Sequence, residues 1–300
     1  MLHLYNNVSK INILLLGSLL LSLINALAPS TVVYGPGSSE LVILTAKIAA
    51  REGVETFCIT KAGSEKGCRK LMYGIDYSKA GIDEEGKAKP ISEPEDMGTS
   101  LEKATCLILI ADKEPIDEGT VNTLLSNGGP NLSKVVLMSK IGITRAKGGF
   151  LGGGNDLKML ESEKALRSLA ESKNLQFSIV RAGILKGGGP GEDGNDFGLS
   201  ISYYNNLFDI IEAQVTMSHD RFSLGIDCCK GDPLDLPNAF FVMNTKNSFE
   251  PTPTDTNRIS AATGCVAALL ADEEMEFSVG CKKGSTPPSM EEWSETLSKL

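Results

Sequence analysis

Histidine is almost missing from this chain: His3 and His219 are the only two in 300 residues. His3 falls in an apolar N-terminal stretch, so a histidine triad and a multi-histidine metal centre have little to be built from. Aromatic residues make up 6 % and tryptophan occurs once. The seven cysteines, at 58, 68, 106, 228, 229, 265 and 281, are odd in number and show no CxxC spacing. They suggest neither a zinc site nor a disulfide framework, and most read as small core residues. No run of Lys and Arg is long enough to follow a phosphate backbone, and the net charge is -9, which argues against nucleic acid as a partner. The longest apolar run, Ile11 to Ile24, is too short for a stable membrane span. With Lys10 before it and Ala26 and Ala28 after it, residues 1–30 have the layout of a secretory leader whose removal gives a mature start near Leu27.

From Thr31 strand and helix signals alternate as a parallel sheet requires. Val32 to Tyr34 and Thr56 to Thr60 read as strands flanking a helix from Leu41 to Arg51. A polar loop is expected over 61–98. Further strands are expected at Ala104 to Asp112, Lys134 to Lys140 and Leu175 to Gly183, with helices at Asp117 to Asn127 and Asp156 to Lys173 between them. Strands this continuously apolar are buried on both faces. The expected fold is α/β, a doubly wound parallel sheet of Rossmann-like type over 31–300. It carries a small cap at about 187–256 and helices over 257–300. Gly148 to Gly154 and Gly187 to Gly198 read as long surface loops placed either to build a ligand crevice or merely to connect.

The first turn is the candidate nucleotide loop. In "TVVYGPGSSELVIL" Gly35 and Gly37 permit a tight turn and a close approach to a pyrophosphate, with Ser38 and Ser39 leading into the helix. Glu40 stands where a third glycine is expected and competes with a phosphate for the helix dipole. The loop therefore either holds a nucleotide or only keeps the turn. After the second strand the chain offers Lys61, Lys66, Arg69 and Lys70 and no acid at the strand tip, which favours NADP over NAD.

The stretches "KVVLMSKIG", "NLQFSIVRAGIL" and "NRISAATGCVAALLAD" resemble the atypical short-chain dehydrogenase/reductase families, the NmrA-like and plastid NAD(P)-binding proteins. The resemblance runs over about 31–300 and is strongest from Leu175 to Leu185. It implies an NAD(P)-binding protein, with an NADPH-dependent oxidoreductase as one reading and a non-catalytic nucleotide sensor or plastid assembly factor as the other. Ser139 matches the family's Ser position. The Tyr-x-x-x-Lys pair is missing, since no Tyr stands between Tyr77 and Tyr203 and the relevant segment offers Phe150 and Lys158. Ser139 and Lys158 are thus the catalytic candidates, with a strand-end hydrogen bond the other role open to Ser139. Arg181 stands in an Arg-Ala-Gly ending where the family has Arg-Pro-Gly, either meeting a phosphate or forming a structural ion pair. Ala26-Leu27-Ala28-Pro29 is similar to the plastid leader motif of diatoms and related algae, which implies a plastid destination, with the secretory pathway as the alternative. An aromatic and aliphatic stripe over 201–214 reads as core or as a surface for a protein partner.

Overall fold

Neighbouring strand residues face two different cores. A computed structural model describes residues 29–37, 39–75, 86–112, 114–145, 154–191, 197–207, 209–232, 248–252 and 254–300. Residues 1–28, most of the stretch read above as a leader, lie outside these residues, as do Ser38, Phe150 and most of the Gly148 to Gly154 stretch.

Strand β1 (Ser30–Tyr34) leads into helix α1 (Glu40–Arg51), then β2 (Glu55–Ile59), α2 (Glu65–Tyr73), β3 (Lys89–Ile91), α3 (Pro94–Lys103), β4 (Cys106–Ile110) and α4 (Glu118–Asn127). Next come β5 (Lys134–Lys140), a short 3-10 turn, α5 (Gly154–Lys173), β6 (Gln176–Ala182) and β7 (Ile184–Lys186). The remainder is α6 (Ser202–Asn205), α7 (Ile210–Phe222), β8 (Gly225–Lys230), β9 (Asp255–Asn257), α8 (Arg258–Leu270), β10 (Glu276–Lys282) and α9 (Met290–Leu297).

The main sheet runs β3-β2-β1-β4-β5-β6-β10-β8, with β8 antiparallel to β10 and every other pair parallel. Its first six strands have the order of the doubly wound dinucleotide fold. Val33, Ile108, Ile110, Val136 and Met138 point to a core shared with α1, α8 and Trp293 of α9. Their neighbours Val32, Leu107, Leu109, Val135 and Leu137 point to the opposite core, against α3, α4 and α5. A fully buried aliphatic side chain contributes roughly 1.5–3 kcal/mol, so two apolar faces per strand hold the helices on both sides.

The stretch 61–98 is not one polar loop, because α2, β3 and the start of α3 lie within it. Strand β3 is three residues long and contains Pro90, and α3 opens on Pro94 followed by Glu95 and Asp96, so neither has the apolar periodicity of a buried element. Gly187, Gly188 and Gly189 are buried instead of lying on the surface. The region read as C-terminal helices also contains β10, between α8 and α9. Among the described residues no helix is long and apolar enough to cross a membrane.

Candidate functional site

Strands β2 and β4 flank β1 on opposite sides, and the chain's first turn sits over the point where the strand order reverses. A Cβ on Gly35 would stand 2.6 Å from the Ile110 carbonyl oxygen and 2.6 Å from Val42 Cγ2, so only glycine lets the turn lie against the end of β4. Gly37 has φ +75°, a left-handed conformation in which glycine carries no steric penalty. Ser39 caps α1, accepting from the Val42 N–H at 3.4 Å. Glu40 is the first residue of α1, and its carboxylate is one of the charges felt by Tyr203. Burial raises the Tyr203 phenol's pKa, Arg258 opposes this, and Asp220 and Glu40 add to it. Ser38 lies outside the described residues.

A cleft of about 240 Å³ opens at the carboxyl ends of β4, β5 and β6. Asp112, Ser139, Lys140, Gly183 and Arg258 contribute to its lining. Ser139 is buried, and its hydroxyl has no hydrogen-bond partner among the described residues. Lys140 is paired with Asp156 at 2.9 Å. Arg258 is the first residue of α8 and donates from Nη1 to the Gly187 carbonyl at 2.8 Å. Arg181 pairs in register with Ser139 across β5 and β6. It is 1 % exposed, and its guanidinium donates to Glu163 at 3.0 and 2.7 Å and to Glu276 at 3.1 Å. The structural ion pair named as one of its two readings is therefore present.

Lys158 stands elsewhere. It is exposed on α5 and lines a different cleft with Glu114, Asp117, Glu118 and Glu161, which shares no lining residue with that of Ser139. Lys61 is exposed just beyond β2, and Arg69 is half-buried on α2. Glu65, the acid among these cations, accepts a hydrogen bond from the Ser92 hydroxyl. The stripe over 201–214 is divided: Tyr203 and Tyr204 are core, whereas Ile201, Ile210 and Ile211 are exposed and Phe208 lies outside the described residues.

A buried polar knot under the cleft was not foreseen from the sequence. Asp220, 1 % exposed near the end of α7, accepts from the Gly188 N–H at 2.6 Å and the Gly189 N–H at 2.8 Å. It also accepts from the Tyr204 hydroxyl at 2.8 Å and from Asn257 Nδ2 at 3.3 Å. Lys186 and Asp255 form a buried pair at 3.1 Å close by, and His219 is fully buried with Nε2 3.2 Å from the Ser248 carbonyl. Lys47 of α1 donates to the Gly198 carbonyl at 2.6 Å, tying the same segment to the first helix. A signal was present: an acid in the last turn of α7 and a cation in the first turn of α8 both oppose their helix dipoles.

No protein-family model matches the chain, and no curated protein matches its sequence. Among solved structures it is similar to a wide-type short-chain dehydrogenase/reductase from Veillonella parvula in complex with NADP, at 13 % identity and TM-score 0.45, covering 87 % of this chain and 99 % of that one. It is similar to a UDP-N-acetylglucosamine 4-epimerase from Bacillus cereus at 12 % identity and TM-score 0.46, covering 89 % and 83 %. The corresponding figures for Gre2 from Candida albicans, solved with NADPH, are 10 %, 0.46, 85 % and 80 %. At these identities and scores the likeness carries nothing about the ligand, and the Rossmann-type fold is defined by the strand order and connections given above.

Proposed function

We propose that this protein binds NADP(H) as an atypical member of the short-chain dehydrogenase/reductase type. The observation that carries the reading is the crevice where the strand order reverses. There a glycine turn packs on the end of β4, and the buried Ser139 hydroxyl, unpartnered among the described residues, stands at the same edge of the sheet on the next strand, β5. Open α/β sheets bind their ligands at this point. Lys61 and Arg69 lie beyond β2, where a ribose 2'-phosphate is read, and Glu65 is engaged by Ser92. A nicotinamide cofactor supplies hydride chemistry; this chain's part is to hold the cofactor and the ring's partner, with the Ser139 hydroxyl as a free donor for an oxygen of either.

A second reading, nucleotide binding without turnover, is favoured by the state of two phenols, those of α6. Tyr203 and Tyr204 are buried, Tyr204 is bound to Asp220, and burial raises both their pKa values, so neither is set up as the proton donor that carbonyl reduction uses.

Calorimetry should find NADPH bound at least about tenfold more tightly than NADH, the effect of one charge-assisted contact to the extra phosphate. Equal affinities, or no binding of either, overturn the NADP reading. Oxidation of NADPH in the presence of carbonyl compounds separates the enzyme from the sensor. Glu40→Gly should strengthen NADPH binding roughly two- to fivefold at low ionic strength, with the gain shrinking in salt, because a carboxylate leaves the first turn of α1. Weaker binding in that variant shows that Glu40 contacts the nucleotide or secures the loop.

A further inference from the structure

Arg258 is a cation at the wrong end of its helix. A positive side chain in the first turn of α8 opposes the macrodipole and adds its charge to the N–H groups there, of which that of Ile259 is capped by Asn257 at 2.8 Å. Among the described residues no carboxylate pairs with it; Nη1 reaches the Gly187 carbonyl and the rest of the guanidinium borders the cleft. On the same cleft Ser139, 2 % exposed, has a hydroxyl with no partner. The Arg258 guanidinium at the start of α8 and the unsatisfied Ser139 hydroxyl line one 240 Å³ space, and both are donors suited to an oxyanion. The first turn of α1, which a dinucleotide fold uses for that purpose, carries Glu40. Helix α8 packs along α1, and Tyr203 feels both Glu40 and Arg258, so the two helix starts lie on the same edge of the sheet.

We propose that Arg258, the first turn of α8 and the Ser139 hydroxyl form an oxyanion-binding subsite, displaced from the glycine turn that Glu40 has made unfavourable. That the subsite takes an anion does not depend on the nucleotide reading; which anion it takes rests on that reading. A dinucleotide phosphate and the carboxylate or phosphate of a small substrate offer the same chemistry.

The test uses inorganic pyrophosphate and the full chain, followed by calorimetry and by thermal unfolding. Wild type should bind pyrophosphate saturably. Arg258→Gln should weaken binding at least about tenfold, Ser139→Ala several-fold, and Arg258→Lys should restore part of the loss, as expected for charge-assisted contacts. Because Arg258 also holds the Gly187 carbonyl, Arg258→Gln can disturb the glycine segment. Ser139→Ala leaves that contact intact, so it decides the matter if the unfolding temperature of Arg258→Gln falls. Pyrophosphate that competes with NADPH, together with an NADPH affinity lowered by Arg258→Gln, assigns the anion to the dinucleotide. Pyrophosphate that binds alongside NADPH, with NADPH affinity unchanged in the variant, assigns it to the substrate. Pyrophosphate binding without any NADPH binding keeps the subsite and removes the nucleotide reading. No pyrophosphate binding by wild type, or equal binding by wild type, Arg258→Gln and Ser139→Ala, overturns the proposal.

Discussion

Replacing Arg181 by methionine is expected to destabilise the protein by about 3–5 kcal/mol, because it strands the Glu163 carboxylate, 1 % exposed, without its bidentate partner. At about 2–4 °C per kcal/mol for a chain of this size the unfolding temperature should fall on the order of 10 °C. Adding Glu163→Leu should recover most of that loss. Apolar residues can replace a buried ion pair at little cost, and Glu276 keeps its contact with Arg167. Thermal and urea unfolding of the two variants check this. A single variant as stable as wild type would show that the pair contributes nothing. NADPH affinity measured on the folded variant also separates the two roles open to Arg181: unchanged affinity leaves it a structural residue, and lost affinity places it at the nucleotide.

Asp220→Ala should cost about 3 kcal/mol or more. It leaves the Gly188 and Gly189 N–H groups and the Tyr204 hydroxyl buried without their acceptor, each worth about 1–3 kcal/mol and not strictly additive. Burial raises the carboxyl's pKa from 3.8 to about 6, against the pull of the Gly188, Gly189, Tyr204 and Asn257 donors. A folded-state pKa above the unfolded one means that the folded state binds the proton more tightly. This contribution is therefore fully present below pH 3.8 and lost as pH rises through about 6. A shift of this size corresponds to about 3 kcal/mol. The stability advantage of wild type over Asp220→Asn, read from urea midpoints, should therefore shrink between pH 4 and pH 7. An advantage that grows with pH would show that the four donors outweigh burial.

The elements read correctly in the sequence are those whose residues face one environment throughout. The strands at Lys134 to Lys140 and Leu175 to Gly183 agree with β5 and β6 to within one residue, because their central residues, Val135 to Met138 and Ile179 with Val180, are apolar on both faces of a covered sheet. The helix read from Asp117 is α4, whose cap is Asp117 itself. Local chemistry also placed Gly35 at the crevice, although not the reason, which is the approach of Ile110 from seventy-odd residues away. What escaped depends on distant partners. The pairing of Asp220 with two glycine N–H groups, and the place of Arg258 against Gly187, exist only once α7 and α8 have packed around the Gly187 to Gly189 segment. The sequence records them solely as charges set against their helix dipoles. Lys158 shows the converse: its position in the chain suggested a catalytic place, whereas helical periodicity turns Met159, Glu163 and Leu166 towards the sheet and leaves Lys158 exposed.

The position of β10 between β6 and β8 fixes an order of assembly. Strand β8 is made before β10 but touches the main sheet only through it, and the outer edge of β6 likewise waits for β10. During synthesis the outer edge of β6 and then β8 present unpaired backbone until residues 276–282 have been made, the condition in which nascent chains pair with one another. Phe277 of β10 enters the core and Trp293 of α9, fully buried, settles over Gly264 with its ring 6.1 Å from that of Phe277. The slow phase of refolding should accordingly be the joining of β10 to β6, a pairing of high sequence separation, and not the collapse of the β1-to-β5 half.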